Sequence, residues 1–466
     1  MTLPAEFVVR LNARTRVIEH GAAMVGGSPT RYIRLSPEAQ SVLRGKEVDA
    51  STAMGANLAE KLLELAMADP VVELLPDLEE PYTIVVPVMN RAAPLDRLLT
   101  SVRSSTRRQN PRIIVVDDAS ENPTLLHDVA VKHGAEFVPL AVNVGPGGAR
   151  NAGLALVKTE FVVFLDSDLV INTDTIPLLL RHFSDPKVAM AVPRIVGMPH
   201  QRNWIGKYEN ARSSLDLGPI RGVVKPRSPL SWAPSAGVVA RVSAITDGFD
   251  PSMRVGEDVD LVWRLSESGW RVRYEPTATA QHEHRDHFRE WFKRKAQYGT
   301  GAVPLAKKHP GSIAPAVMTP WSVALMAALI AQRRWSLPVA ILIALGASAR
   351  NSRLLASAHN PSGLAAELTA QGIVSAGAQT SALMLKHWWP LTLVGAVFSK
   401  RIRRAVFIAA VVDIAVEYDK EDYELDVVRF GVARRLDDIA YGSGVWLASL
   451  KGWTIAALKP DWRMKK

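Results

Sequence analysis

Four short runs between residues 82 and 165 constrain this chain more than anything else in it. Residues 82–88, 113–116, 136–140 and 161–165 are largely apolar and rich in β-branched side chains, so each reads as a buried strand. Residues 94–107, 125–133 and 147–157 lie between them and read as helices. Apolar strands alternating with amphipathic helices predict a parallel sheet covered on both faces. Ligands of such sheets bind at the carboxyl ends of the strands. Polar residues gather at those ends: Asn90, Asp117, Asp118, Asp166 and Asp168.

The remainder of the 466 residues divides around this block. Residues 1–75 read as a small separate module. It has strand-like runs at 7–11, 22–25 and 31–35, a helix opened by Ser36-Pro37-Glu38, and a second helix near 56–67. Ser caps such a start and Pro suits the first helical position. Residues 68–81 read as a linker, 76–284 as the main domain, and 199–231 as a long loop, which in a compact domain is usually functional. No secretory signal opens the chain. The absence of Cys excludes disulfides, thiolate zinc sites and thiol nucleophiles.

The net charge of +10 is unevenly spread. Residues 285–466 carry 25 Lys+Arg against 13 Asp+Glu, while residues 1–284 are nearly balanced. The same C-terminal stretch opens with a basic amphipathic helix and continues with apolar runs at 309–332, 335–349 and 368–385. The first is marginal for a span of about 20 residues and the others are too short. Basic charge beside apolar runs points to an anionic membrane surface rather than nucleic acid, with interfacial or re-entrant helices.

The chemistry concentrates in four ordered motifs and a histidine segment that follows them. Phe164-Leu165-Asp166-Ser167-Asp168 ends a buried strand and sets two carboxylates two residues apart, a pairing suited to Mg²⁺ or Mn²⁺ on a diphosphate. Upstream lies Val116-Asp117-Asp118-Ala119-Ser120, and between the two lies Asn143-Val144-Gly145-Pro146-Gly147-Gly148-Ala149-Arg150-Asn151. Downstream come Gly256-Glu257-Asp258-Val259-Asp260 and then Gln281-His282-Glu283-His284. The glycine turn lacks the Lys-Ser/Thr of a P-loop and the spacing of a dinucleotide fingerprint.

This set resembles the inverting nucleotide-sugar glycosyltransferases of the GT-A fold, family two. The resemblance implies an α/β Rossmann-like catalytic domain, here with a winged-helix-like N-terminal module and a mainly helical, apolar and basic C-terminal region. It implies a UDP-sugar donor held by Pro87, Asn90, Arg91, Asp117, Asp118, Asn143, Gly147, Arg150, Asn151 and Asp166. It implies a divalent cation on Asp166, Asp168 and His282, with His284 as the other candidate. Asp258 is the expected catalytic base. Ser235, Gly237, Glu257, Asp260 and Trp232 are expected on the acceptor side, and Trp204, Tyr208 and Trp232 are candidates for stacking on sugars or for core packing. The Gln-x-x-Arg-Trp motif of processive synthases does not occur.

The N-terminal module, together with Arg434-Arg435-Leu436-Asp437-Asp438-Ile439-Ala440-Tyr441-Gly442-Ser443-Gly444-Val445-Trp446, resembles the branch of that family serving mycofactocin biosynthesis. That branch implies glucose transfer from UDP-glucose to a peptide-derived small-molecule redox cofactor, giving a β-linked oligosaccharide. The basic, apolar C-terminal stretch points to a cytoplasmic protein, peripheral or integral at the inner face of the cell membrane. The alternatives are a rhamnosyl- or galactofuranosyltransferase of cell-wall synthesis and a non-catalytic peptide-binding scaffold. The oligomeric state stays open.

Overall fold

The computed structural model describes residues 3–106, 109–199, 203–284, 287–418 and 424–462. The chain forms two compact units, one of residues 1–200 and 212–284, the other of residues 201–211 and 285–466.

In the first unit the N-terminal segment builds two small antiparallel sheets. Strands β1 (Val8–Leu11), β2 (Arg16–Ile18), β3 (Ala23–Gly26) and β4 (Arg31–Arg34) precede helix α1 (Pro37–Val42). Strands β5 (Leu43–Arg44) and β6 (Glu47–Asp49), helix α2 (Ala53–Glu64) and β7 (Ala68–Pro70) follow. The sheets run β5-β6-β1-β7 and β2-β3-β4. The Ser36 hydroxyl accepts from Ala39 N at 3.2 Å and caps α1, as the Ser-Pro-Glu signature requires. Phe7, Met24, Leu62, Leu63 and Met67 fill the core of this segment. Ala68-Asp69-Pro70, expected as the start of a linker, is instead a strand of the first sheet, paired with Val9–Leu11.

The large sheet follows: β8 (Tyr82–Val88), α3 (Ala92–Ser105), β9 (Arg112–Asp117), α4 (Pro123–Lys132), β10 (Glu136–Pro139), α5 (Gly145–Leu154), β11 (Phe161–Leu165), β12 (Leu169–Ile171), α6 (Thr175–Arg181) and β13 (Val188–Gly197). The chain leaves for α7 (Trp204–Arg212) and returns with β14 (Gly222–Val224), β15 (Gly237–Arg241), α8 (Glu257–Glu267) and β16 (Arg271–His282). The helix α7 replaces part of the long loop expected over 199–231; it mixes Trp, Lys, Glu and Arg without a clean apolar stripe, so periodicity does not reveal it.

The sheet order is β10-β9-β8-β11-β15-β13-β16-β12, with β14 paired to β16. The four expected strands pair in parallel. The sheet as a whole is mixed, because β15 runs antiparallel to both β11 and β13 and β12 runs antiparallel to β16. Registers then bring distant segments together: Leu165 faces Gly237, and Leu169 faces His282.

The N-terminal segment is tied to β16 by buried charge. Arg271 bonds Asp185 at 2.7 Å and Glu60 of α2 at 2.5 Å. Arg273, fully buried, lies 3.4 Å from Asp69. Burial pushes Asp69 up to about 6 against the opposing Arg273 charge. Replacing Asp185 by Ala should lower unfolding stability by about 3 kcal/mol, the low end for breaking a buried ion pair, because Glu60 stays on Arg271. Denaturant unfolding measures this; a loss under ~1 kcal/mol, the range of an exposed pair, would contradict it.

The second unit is helical: α7 with α9 (Phe288–Thr300), α10 (Ala302–Lys308), α11 (Pro320–Ala331), α12 (Ser336–Leu354), α13 (Pro361–Ala382), α14 (Trp389–Phe398), α15 (Lys400–Tyr418) and α16 (Val427–Lys451). Tyr208, Trp291 and Phe430 form a buried aromatic cluster. Tyr208 donates to Asp437 at 3.0 Å, so it packs the core and is not a sugar-stacking face. In the basic helix α9, Lys295 is buried against Glu209 at 2.8 Å. Among the described residues no helix is long and apolar enough to cross a membrane.

Candidate active site

The carboxyl ends of β8, β9 and β11 and the start of α8 assemble one site. At β9 the buried Asp117 accepts from the backbone and hydroxyl of Ser120, and that hydroxyl accepts from Asn90 N at 2.8 Å. Asn90 adopts a left-handed backbone and accepts from Glu121 N at 2.8 Å. Pro87, buried in β8, sits opposite Val116. Asp118 accepts from the amides of Val144 and Gly145 at 2.7 and 2.9 Å. Its carboxylate therefore neutralises the positive end of α5 and fixes the glycine turn. Asn143, in that turn, accepts from Arg254 at 2.6 Å.

One cation joins two of the motifs. Arg150, on α5, is almost fully buried; it donates to Asp166 at 2.5 Å and to Glu257 at 3.4 Å, and its guanidinium lies 5.4 Å from the Phe249 ring centroid. Gly147 makes this approach possible, since a Cβ there would stand 3.2 Å from both Glu257 and Phe249. Asn151 binds Phe249 O and N at 2.7 and 2.8 Å and pins the same loop. Arg150 and Asn151, expected on the donor, are thus built into the wall of the site.

Glu257 and Asp258 occupy the first turn of α8, which Gly256 enters at a φ of 84°. Asp258 accepts from Val259 N at 2.8 Å and is bonded by the Ser235 backbone. The Ser235–Gly237 segment also borders the Asp-x-Asp motif, for Asp166 N donates to Ala236 O at 2.6 Å. Trp232 is half-buried nearby in sequence. Asp260 is fully buried and holds Arg264 at 2.8 Å, which in turn donates to Gly248 O. Its place is in the packing beneath the helix, not on an acceptor face.

The second acid of the Asp-x-Asp pair belongs to another cluster. Asp168 Oδ1 stands 3.5 Å from His282 Nε2, Arg91 bonds Oδ2, and His284 Nδ1 lies 3.3 Å from His282 Nδ1. Among the described residues no three acids or imidazoles form a ready-made cation cluster. The donor types nevertheless fit a divalent cation, with Asp168 and His282 already side by side and Asp166 held by Arg150.

Charge follows this geometry. Burial acts to raise Asp168, but the bond and charge of His282 and the charge of Arg91 hold it well below the usual carboxylate range. Burial pushes Asp166 upward, opposed by Arg150. Burial and then the Asp258 charge push Glu257 up to about 7, opposed by Arg150. Burial also raises Asp258, opposed by the Val259 amide and Arg150. Glu257 therefore takes up a proton near neutrality, and the proton affinity of Asp258 beside it is raised as well.

Sequence profiles place this geometry in a family. The profile of Glycosyl transferase family 2 matches residues 83–231, and that of Glycosyl transferase family group 2 matches residues 161–412. The chain belongs to glycosyl transferase family 2. The transferase is 40% identical over 473 residues to the pre-mycofactocin glycosyltransferase of Mycobacterium tuberculosis strain H37Rv, covering 99% of each. It is 26% identical over 209 residues to the poly-β-1,6-N-acetyl-D-glucosamine synthase of Staphylococcus aureus strain COL, covering 43% of this chain and 49% of that one. Among solved structures, the mannosyltransferase PcManGT from Pyrobaculum calidifontis with GDP-Man and Mn²⁺ matches at a TM-score of 0.38 and 19% identity, over 74% of this chain and 90% of that one. TarS of S. aureus matches at 0.35 and 17% identity, over 48% and 40%.

Phe249 and Arg254 escape motif reading although each braces a motif residue. Arg254 alone carries a signal, two residues before Gly256-Glu257-Asp258. The sign of the pH effect follows from the raised carboxyls. Activity should fall as pH drops through about 7, as the Glu257–Asp258 pair gains a proton. In Glu257→Gln the limb should move to lower pH, because a like charge beside Asp258 is removed. In Arg150→Met it should move up, with turnover reduced about 10²-fold or more. Rate–pH profiles of sugar transfer test this; an unmoved limb in both variants would refute the coupling.

Proposed function

We propose that the transferase moves a sugar from a UDP-sugar to a peptide-derived redox cofactor of the mycofactocin type, by inverting single displacement. The observation that carries the reading is the end-to-end 40% identity with the pre-mycofactocin glycosyltransferase. The site gives it a mechanism. The Asn90–Asp117–Ser120 hydrogen-bond set at the ends of β8 and β9 suits the nucleoside. Asp258 accepts the proton of the attacking hydroxyl, with Ser235 and Trp232 on the acceptor side. Asp168 and His282, with Asp166, would hold a divalent cation, which would supply electrostatic stabilisation to the leaving diphosphate. Arg91, now on Asp168, is placed to pass to a bound diphosphate. Glucose as the sugar, a β product from an α-linked donor and extension to an oligosaccharide rest on the resemblance. The division at residues 75 and 285 also belongs to this reading, with residues 1–75 as the peptide-recognition module.

Transfer is tested by incubating the protein with UDP-glucose and other UDP-sugars, with the cofactor precursor or a lipid-linked glycan as acceptor. Mass spectrometry should find a hexosylated cofactor from one donor. Transfer only to the lipid-linked glycan would overturn the acceptor and favour a cell-wall enzyme. EDTA should abolish UDP release and Mn²⁺ or Mg²⁺ restore it; turnover indifferent to EDTA would remove the cation from the account.

A further inference from the structure

Two helices of the second unit are inside out for a protein bathed in water. On α15 the outward positions recur every three to four residues: Arg403, Arg404, Phe407, Ile408, Val411 and Val412, with Val416 beyond. The charged residue Asp413 faces the other way, bonded at 2.6 and 2.8 Å by Arg434 of α16 and also by Arg435. Helix α12 repeats the pattern. Leu337, Ile341, Leu342 and Leu345 are exposed, whereas Ser336, Ala340 and Ala347 are buried. Its Asn351 turns inward to the buried Thr369 of α13 at 3.1 Å. A water-facing helix has the reverse arrangement. Helix α14 adds Leu391, Val394, Val397 and Phe398, the last 85% exposed.

The charge beside these faces says what covers them. Gln332 Nε2 donates to Arg401 O at 2.8 Å, so the turn Arg333-Arg334-Trp335 before α12 lies beside Lys400-Arg401-Ile402-Arg403-Arg404 at the start of α15. Exposed Trp335 sits in the first turn and exposed Phe398 ends α14 just before the second. Across residues 309–412 the chain has nine Lys/Arg and a single acid, Glu367. Aromatic and cationic side chains gathered at the end of apolar helix faces match the headgroup boundary of an anionic bilayer. The faces are too short to cross it: from Arg404 to Val416 the helix rises only about 18 Å against a hydrocarbon core of about 30 Å.

We propose that α12, α14 and α15 dock the transferase on an anionic lipid bilayer. The two basic turns meet the headgroups and the apolar stripes enter one leaflet without spanning it.

The test is sedimentation of the full chain with phosphatidylcholine vesicles, with and without phosphatidylglycerol. Binding should require the anionic lipid and weaken as salt rises. Arg403→Gln with Arg404→Gln should lower the partition coefficient about 30-fold, at ~5-fold per cation. Ile408→Ser with Val411→Ser should lower it without moving the thermal melt followed by circular dichroism, since both side chains are exposed. A protein that stays in the supernatant with both vesicles overturns the proposal. So does binding indifferent to phosphatidylglycerol and to both pairs of substitutions. A dimer in solution that Val411→Asp dissociates, with no vesicle binding, would assign the face to a second copy of the chain.

Discussion

The site depends on one buried cation. Asp166, Glu257 and Asp258 come from two motifs far apart in sequence and converge around one buried guanidinium, with Glu257 buried and the other two half-buried. Three carboxyls so placed would repel one another and take up protons. Arg150, with donors on Asp166 and Glu257 and its flat face toward Phe249, makes the assembly tolerable and leaves the Glu257–Asp258 pair with a raised proton affinity. Removing the opposite charge from such a group costs far more than the pair contributes, so the arrangement is all or nothing. The same residue links the Asp-x-Asp motif to the first turn of α8.

The strands that carry these residues explain why the parts meet. Parallel pairing of β10, β9, β8 and β11 lines up the strand ends, and antiparallel β15 returns to set Ser235–Gly237 beside Asp166. The antiparallel pairing of β12 with β16 then sets His282 beside Asp168. Asp118 serves the site indirectly: it holds the Val144 and Gly145 amides and so shapes the turn that presents α5.

The parallel half of the fold was legible because its strands are continuously apolar and its helices amphipathic. Residues 161–165 were bounded correctly, and the Ser36 cap proved real. The antiparallel strands were harder. Gly222–Val224 is three residues long, and the later part of β16 mixes Pro, Thr, Gln and His, which hides the strand from pattern reading. Strand β7 hid in Ala68-Asp69-Pro70, whose Pro and Asp suggest a linker; its ladder to β1 and the Asp69–Arg273 pair decide otherwise. Motif residues could be named from sequence, whereas their partners could not. Whether Arg150 meets a diphosphate or two carboxylates depends on packing across more than a hundred residues. The inverted polarity of α12 and α15 was equally hidden, because a composition says that apolar residues are present and not which way they face.

The central claim is that Asp258 removes the acceptor proton while the donor is held by other residues. Asp258→Asn keeps the shape and removes the base, so calorimetric UDP affinity and turnover can be measured on one protein. The account predicts UDP affinity within a few-fold of wild type and transfer slower by about 10²–10⁴-fold, the range a general base supplies. Transfer at the wild-type rate in that variant would contradict it.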